Sequence, residues 1–90
     1  MAKYETPYLK LLRIQAGFSQ RDVSAAFGLT SMQFISNIER GLCLPPDKML
    51  FRLADMYGVD VKKLIDFKMK ELRKRTEETV RLSSRKGRKK

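Results

Sequence analysis

The feature that most constrains this chain is where its breakers fall. Gly17, Gly28, Gly41, Pro45, Pro46 and Gly58 each sit between runs whose apolar residues recur at helical spacing. Breakers in that arrangement suit an all-helical domain with short connections. Ninety residues bound the chain to one domain, with little room for a second core. Apolar residues make up 42%, enough for that one core to be compact.

Five helices are expected. Thr6 reads as an N-cap with Pro7 at the first helical position, and Leu9, Leu12 and Ala16 follow at helical spacing before Gly17 ends the run. Ser19 caps the second helix, with Asp22 three residues on in a capping-box arrangement. Val23, Ala26 and Phe27 form its inward stripe, and Gly28 stops it. Ser31 or Thr30 caps the third helix, which shows Ile35 and Ile38 on one face and closes at Gly41. Leu42–Pro46 is extended, because residues before proline avoid the helical region. The fourth helix starts at Pro46, buries Leu50, Leu53, Ala54 and Tyr57, and ends at Gly58. Asp60 caps the fifth, which buries Val61, Leu64 and Ile65 and continues to about Thr79. The expected division is a globular part over 1–67, an extended C-terminal helix over 68–82, and a disordered basic tail over 83–90.

Charge narrows the partner. The net charge is +10, and it is lopsided: residues 68–90 hold eleven basic and three acidic side chains, hence +8 of the total. A polyanion is the natural partner, nucleic acid before an anionic membrane. Cys43 is alone and histidine is absent, so neither an intramolecular disulfide nor a zinc site is expected. The N-terminal MAKYETPYLK has no apolar core of a signal peptide, and no apolar run reaches the roughly 18 residues of a membrane span. A cytoplasmic chain without cofactor or metal is expected. No histidine, Ser/Lys pair or carboxylate pair at catalytic spacing points to an enzyme.

The informative stretch is residues 18–41, FSQRDVSAAFGLTSMQFISNIERG. Two short helices joined by a glycine-containing turn make a helix-turn-helix layout. Ala25 and Ala26 are small enough for close helix approach, and Val23, Leu29, Ile35 and Ile38 set the angle. The third helix is then left with Gln33, Ser36 and Asn37 outward. Such groups hydrogen-bond to base edges in a major groove, and Gln or Asn can pair bidentately with adenine.

With LLRIQAGFSQRDVSAAFGL, FISNIERG and PPDKMLFRLADMYGVDVKKL, the chain resembles the phage-repressor and Cro-like helix-turn-helix (XRE) family over roughly Leu9–Phe67. It departs from the family in one respect: an extra residue separates Gly28 from Ile35, placed here in the turn near Thr30. The resemblance implies a five-helix Cro/repressor-like domain that binds double-stranded DNA as a transcriptional regulator, a repressor first, in a bacterium or phage. It implies base reading by Met32, Gln33 and Asn37, with Ser36 beside them. Gln20, Ser31 and Arg40 would contact the DNA backbone, Gln20 also bracing the recognition helix. Arg13 and Glu39 would form a buried structural salt bridge. Lys48, and Arg85 and Lys86 in the basic end, are further candidates for backbone contact.

Some readings stay open at this level. Met32 can fill a core gap instead of facing DNA, and Phe34 reads better as packing beside the recognition helix than as touching a thymine methyl. Tyr8, Leu11 and Ile14 suggest cover by another element. Ile65, Met69, Leu72, Thr76 and Thr79 or Val80 form a short heptad seam. That seam fits a homodimer on DNA, or Met69 and Leu72 folding back over Leu11, Ile14 and Tyr8. Alternative functions are a nucleoid-associated protein of low specificity and an antitoxin-type interaction module.

Overall fold

The computed structural model describes residues 8–87, with side-chain environments through residue 83. Among the described residues there are five helices and no strand: α1 Tyr8–Ala16, α2 Gln20–Ala26, α3 Gln33–Glu39, α4 Asp47–Tyr57 and α5 Val61–Gly87. The expected cap at Thr6 and Pro7 lies outside the described residues.

Local chemistry explains most of the boundaries. At α2 the Ser19 hydroxyl accepts from the Asp22 amide at 2.9 Å, and the Asp22 carboxylate accepts from the Ser19 amide at 2.8 Å. That reciprocal pair satisfies two donors that the helix start leaves unpaired. It also holds the Asp22 carboxyl below its ordinary range, chiefly through the bond from the Ser19 backbone. Gly28 has φ +69, the left-handed region that lets the chain reverse between α2 and α3 without a Cβ penalty. Pro46 is extended, at φ −61 and ψ 150, and is the N-cap of α4 instead of its first helical residue. The Asp60 carboxylate accepts from the Lys62 amide at 2.9 Å and opens α5.

The core is one cluster: Leu9 and Leu12 from α1, Val23 from α2, Ile35 and Ile38 from α3, Met49, Leu50, Leu53, Ala54 and Tyr57 from α4, and Leu64 from α5. Phe34 packs against its edge, as expected. Ala16 is exposed. The α2 residue buried beside Val23 is Ser24 rather than Ala25, which is exposed.

Three expectations about α5 are corrected. Ile65 is 42% exposed, not buried. The line of α5 that meets the body runs through Val61, Leu64, Lys68, Glu71 and Arg75, all at least half-buried, and Ile65 lies one position round from it. The helix does not end near Thr79 but runs through Gly87, because Ser83 and Ser84 do not interrupt a run rich in Lys, Arg and Glu, all good helix formers. The segment read as an irregular tail therefore begins inside the helix; residues 88–90 lie outside the described ones. Finally, Met69 and Leu72 do not fold back. They are 56% and 43% exposed, Leu11 and Ile14 are also exposed, and Tyr8 stacks instead on Phe67, with ring centroids 5.2 Å apart.

Beyond the core, polar contacts hold α5. Lys68 Nζ meets Asp47 Oδ1 at 2.6 Å, at the start of α4. Arg75 Nη2 donates to the carbonyl of Gly41 at 2.8 Å, at the end of α3. A 27-residue helix is about 40 Å long at 1.5 Å per residue, and it sets the long axis of a molecule measuring 52 × 26 × 26 Å.

Candidate nucleic-acid interface

The candidate surface is the outer face of α3, and its foundation is a buried carboxylate. Glu39 ends α3 and is 4% exposed. Arg13 of α1 grips it with two donors, Nε to Oε2 at 2.6 Å and Nη2 to Oε1 at 3.2 Å. The third guanidinium nitrogen, Nη1, donates to the carbonyl of Phe18 at 2.9 Å, just ahead of the α2 cap. Gln20 Nε2, at the start of α2, donates to Glu39 Oε1 at 3.0 Å. One carboxylate thus takes bonds from α1 and α2 and fixes both against α3. The hydrogen bond to Glu39 raises the Arg13 guanidinium above its already high value, against the opposing effect of burial. Burial pushes the neighbouring Tyr57 hydroxyl up to about 12, with the Glu39 charge adding to it.

Above this foundation the turn delivers α3 one residue later than a Ser31 cap predicts. Met32 is the N-cap and Gln33 the first helical residue. The Ser31 hydroxyl still takes part, accepting from the Gln33 amide at 3.2 Å. At the far end Gly41, at φ +80, closes the helix: its amide bonds Ile38 and that of Leu42 bonds Asn37 at 2.9 Å.

Met32 is 39% exposed, so it is not a core residue. Gln33 is exposed, and Ser36 and Asn37 are half-buried on the same side. Asn37 Oδ1 accepts from Gln33 Nε2 at 2.9 Å and from Arg40 Nη2 at 3.1 Å. Gln33, Asn37 and Arg40 therefore form one hydrogen-bonded row. Ser31, Arg40 and Lys48 are exposed, Lys48 on the first turn of α4, while Gln20 is half-buried. Arg85 and Lys86 lie on the last turns of α5, away from this row in sequence and outside the residues whose side chains are described.

Sequence reading misses three participants. Lys68 and Arg75 belong to the basic run, which resembles any solvated helix face; only the fold brings Asp47 and the Gly41 carbonyl to them. The buried Ser24 hydroxyl has no hydrogen-bond partner among the described residues. Its burial is legible only as a place for a small residue, and Ala25 and Ala26 meet that requirement equally well.

The described residues hold no group of His, Cys, Asp or Glu placed to bind a metal ion, and no described helix is long and apolar enough to cross a membrane. No curated protein and no solved structure matches the chain. A helix-turn-helix family model does match, over residues 9–64, a span that takes in α1–α4, the Arg13–Glu39–Gln20 cluster and the first turn of α5. The chain belongs to this helix-turn-helix family, the Cro/repressor-like (XRE) group of DNA-binding regulatory domains.

Proposed function

We propose that this protein is a sequence-specific repressor that reads double-stranded DNA with α3 in a major groove. The observation that carries the reading is the outward set of Gln33, Ser36 and Asn37, with Met32 exposed just ahead of it, held on a short helix whose last residue is bonded to two other helices. Short polar groups on a rigid support suit base readout. Arg40 in the row, and Gln20, Ser31 and Lys48 on neighbouring elements, contact phosphates, and the basic end of α5, including Arg85 and Lys86, adds electrostatic affinity. The protein binds as a homodimer at two half-sites about one helical turn apart. Exposure of Ile65, Met69, Leu72 and Val80 along α5 supports that assembly.

Selection of bound duplexes from a random library, followed by titration of variants, tests the reading. Asn37→Ala should cost about 1–3 kcal/mol and relax preference at one position, whereas Lys48→Ala should weaken all sequences alike. Recovery of no consensus would refute sequence-specific reading. The +8 carried by residues 68–90 favours a second reading, a nucleoid-associated protein of low specificity. The ratio of specific to non-specific affinity separates the two. Deletion of residues 83–90 should flatten the salt dependence of log affinity by about 0.9 for each phosphate the shortened chain no longer neutralises. An unchanged slope would remove that end from the interface.

A further inference from the structure

The row on α3 has a direction. The oxygen and nitrogen of a side-chain amide have nearly the same shape, so their partners decide which way the amide faces. At Asn37 the decision is forced. Arg40 lies within 3.1 Å, and a guanidinium has N–H donors and no acceptor. The Asn37 atom facing it must be the oxygen. Gln33, 2.9 Å from that same oxygen, must then present its NH2 group. A carbonyl oxygen has two lone pairs, and here both are occupied. Asn37 keeps its own NH2 for a ligand and has no free acceptor. Its backbone cannot easily turn away, since its carbonyl accepts from the Leu42 amide in the closing turn.

Base edges distinguish a donor-only group from an ordinary amide. Pairing with adenine uses a donor and an acceptor together, on N7 and N6. Guanine offers two acceptors on the same edge, N7 and O6. We propose that Arg40, by occupying the Asn37 oxygen, makes Asn37 a donor-only reader that selects guanine over adenine at the base pair it meets. The inference rests on α3 being the reading helix. It assigns Arg40 a specificity-determining role without a base contact of its own. Its remaining guanidinium N–H groups stay available to a phosphate, so the two roles coexist. Gln33 gives up one N–H and retains an acceptor and a donor, which leaves it compatible with adenine.

The test is a random-duplex selection with the full chain and three variants, Asn37→Ala, Arg40→Met and Arg40→Lys, each checked for wild-type helicity. Anisotropy titrations with guanine or adenine at the assigned position follow. The position whose preference collapses in Asn37→Ala is the one Asn37 meets. There the wild type should favour guanine by roughly tenfold, the scale of one good bidentate contact. Arg40→Met keeps the length and removes the donors, freeing one lone pair of the oxygen while Gln33 keeps the other. Its preference should shift to adenine or vanish. Arg40→Lys keeps a partner that can only donate and should retain guanine. Three results would overturn the inference: adenine selected by the wild type, an unchanged guanine preference in Arg40→Met, or no position that depends on Asn37. If Arg40 only touches phosphate, both Arg40 variants lose affinity while the guanine-to-adenine ratio stays constant. A wild type without any sequence preference refutes the DNA-reading role itself, and the inference with it.

Discussion

The first two turns of α5, residues 61–67, and its outer turns, residues 68–87, belong to one continuous helix held by different physics. Leu64 is wholly buried, and Phe67 stacks on Tyr8. Further out, the face toward the body carries Lys68, Glu71 and Arg75, which docks through an ion pair to Asp47 and a hydrogen bond to Gly41. The apolar line Ile65, Met69 and Leu72 turns away from the body and is exposed. Apolar burial anchors strongly and without direction, whereas exposed polar contacts contribute little to stability but set an angle. The inner turns therefore belong to the cooperative core, and the outer turns form an aimed arm whose apolar line stays exposed.

The largest effect should come from the foundation beneath α3. Glu39→Ala strands a buried guanidinium and should cost about 3–5 kcal/mol, lowering the melting temperature by more than about 10 °C. Leu64→Ala, in the first turns of α5, should cost about 2–5 kcal/mol as a core truncation. A melting temperature unchanged in either variant would break the account of the body.

Alkaline pH sharpens the comparison, because Tyr57 belongs to the body. Its hydroxyl is raised to about 12 from an ordinary 10, so the folded state holds the proton more tightly than the unfolded chain. That contribution is complete below pH 10 and is lost as pH rises through 12. Denaturant titrations of Tyr57→Phe should show a shallower fall across this window, by at most about 1.4 kcal/mol per pH unit. Parallel curves for variant and wild type would contradict the burial of this hydroxyl.

The arm should respond differently. Arg75→Ala should change global stability by less than about 1 kcal/mol, yet speed amide exchange selectively beyond residue 75. Uniform exchange along the whole helix would mean that the bond to Gly41 does not hold the arm. Leu72→Asp should have the smallest effect on the melting of a monomer, within about 0.5 kcal/mol, because Leu72 faces solvent. Light scattering on a two-site duplex should nevertheless show the assembly weakened in that variant. A variant that assembles normally would remove this line from the dimer interface.

How much is legible in advance differs in the same way between body and arm. The five helices, the Ser19–Asp22 box and the left-handed glycines are legible, because each depends on residues within a few positions of one another. The polar row on α3 is legible too, since helical spacing alone sets Gln33 and Asn37 on one side. Sequence reading underestimates the length of α5, because no local signal distinguishes a helix that stops at Thr79 from one that runs through Gly87. It also buries Ile65, because Leu64 and Ile65 are equally apolar and only packing chooses between adjacent positions.

The sequence by itself determined the fold class, the helix-turn-helix unit and its family, since propensity, capping and hydrophobic period all act over one or two turns. Beyond the Arg13–Glu39 pair that the resemblance implied, tertiary structure decided which contacts join those turns across the chain. It brought Gln20 to the carboxylate that Arg13 holds, chose the face of α5 that meets the body, and delivered Arg75 to a carbonyl 34 residues away. It also fixed the direction of the Asn37 amide, because hydrogen-bond polarity depends on how neighbouring side chains are oriented, which composition and spacing leave open.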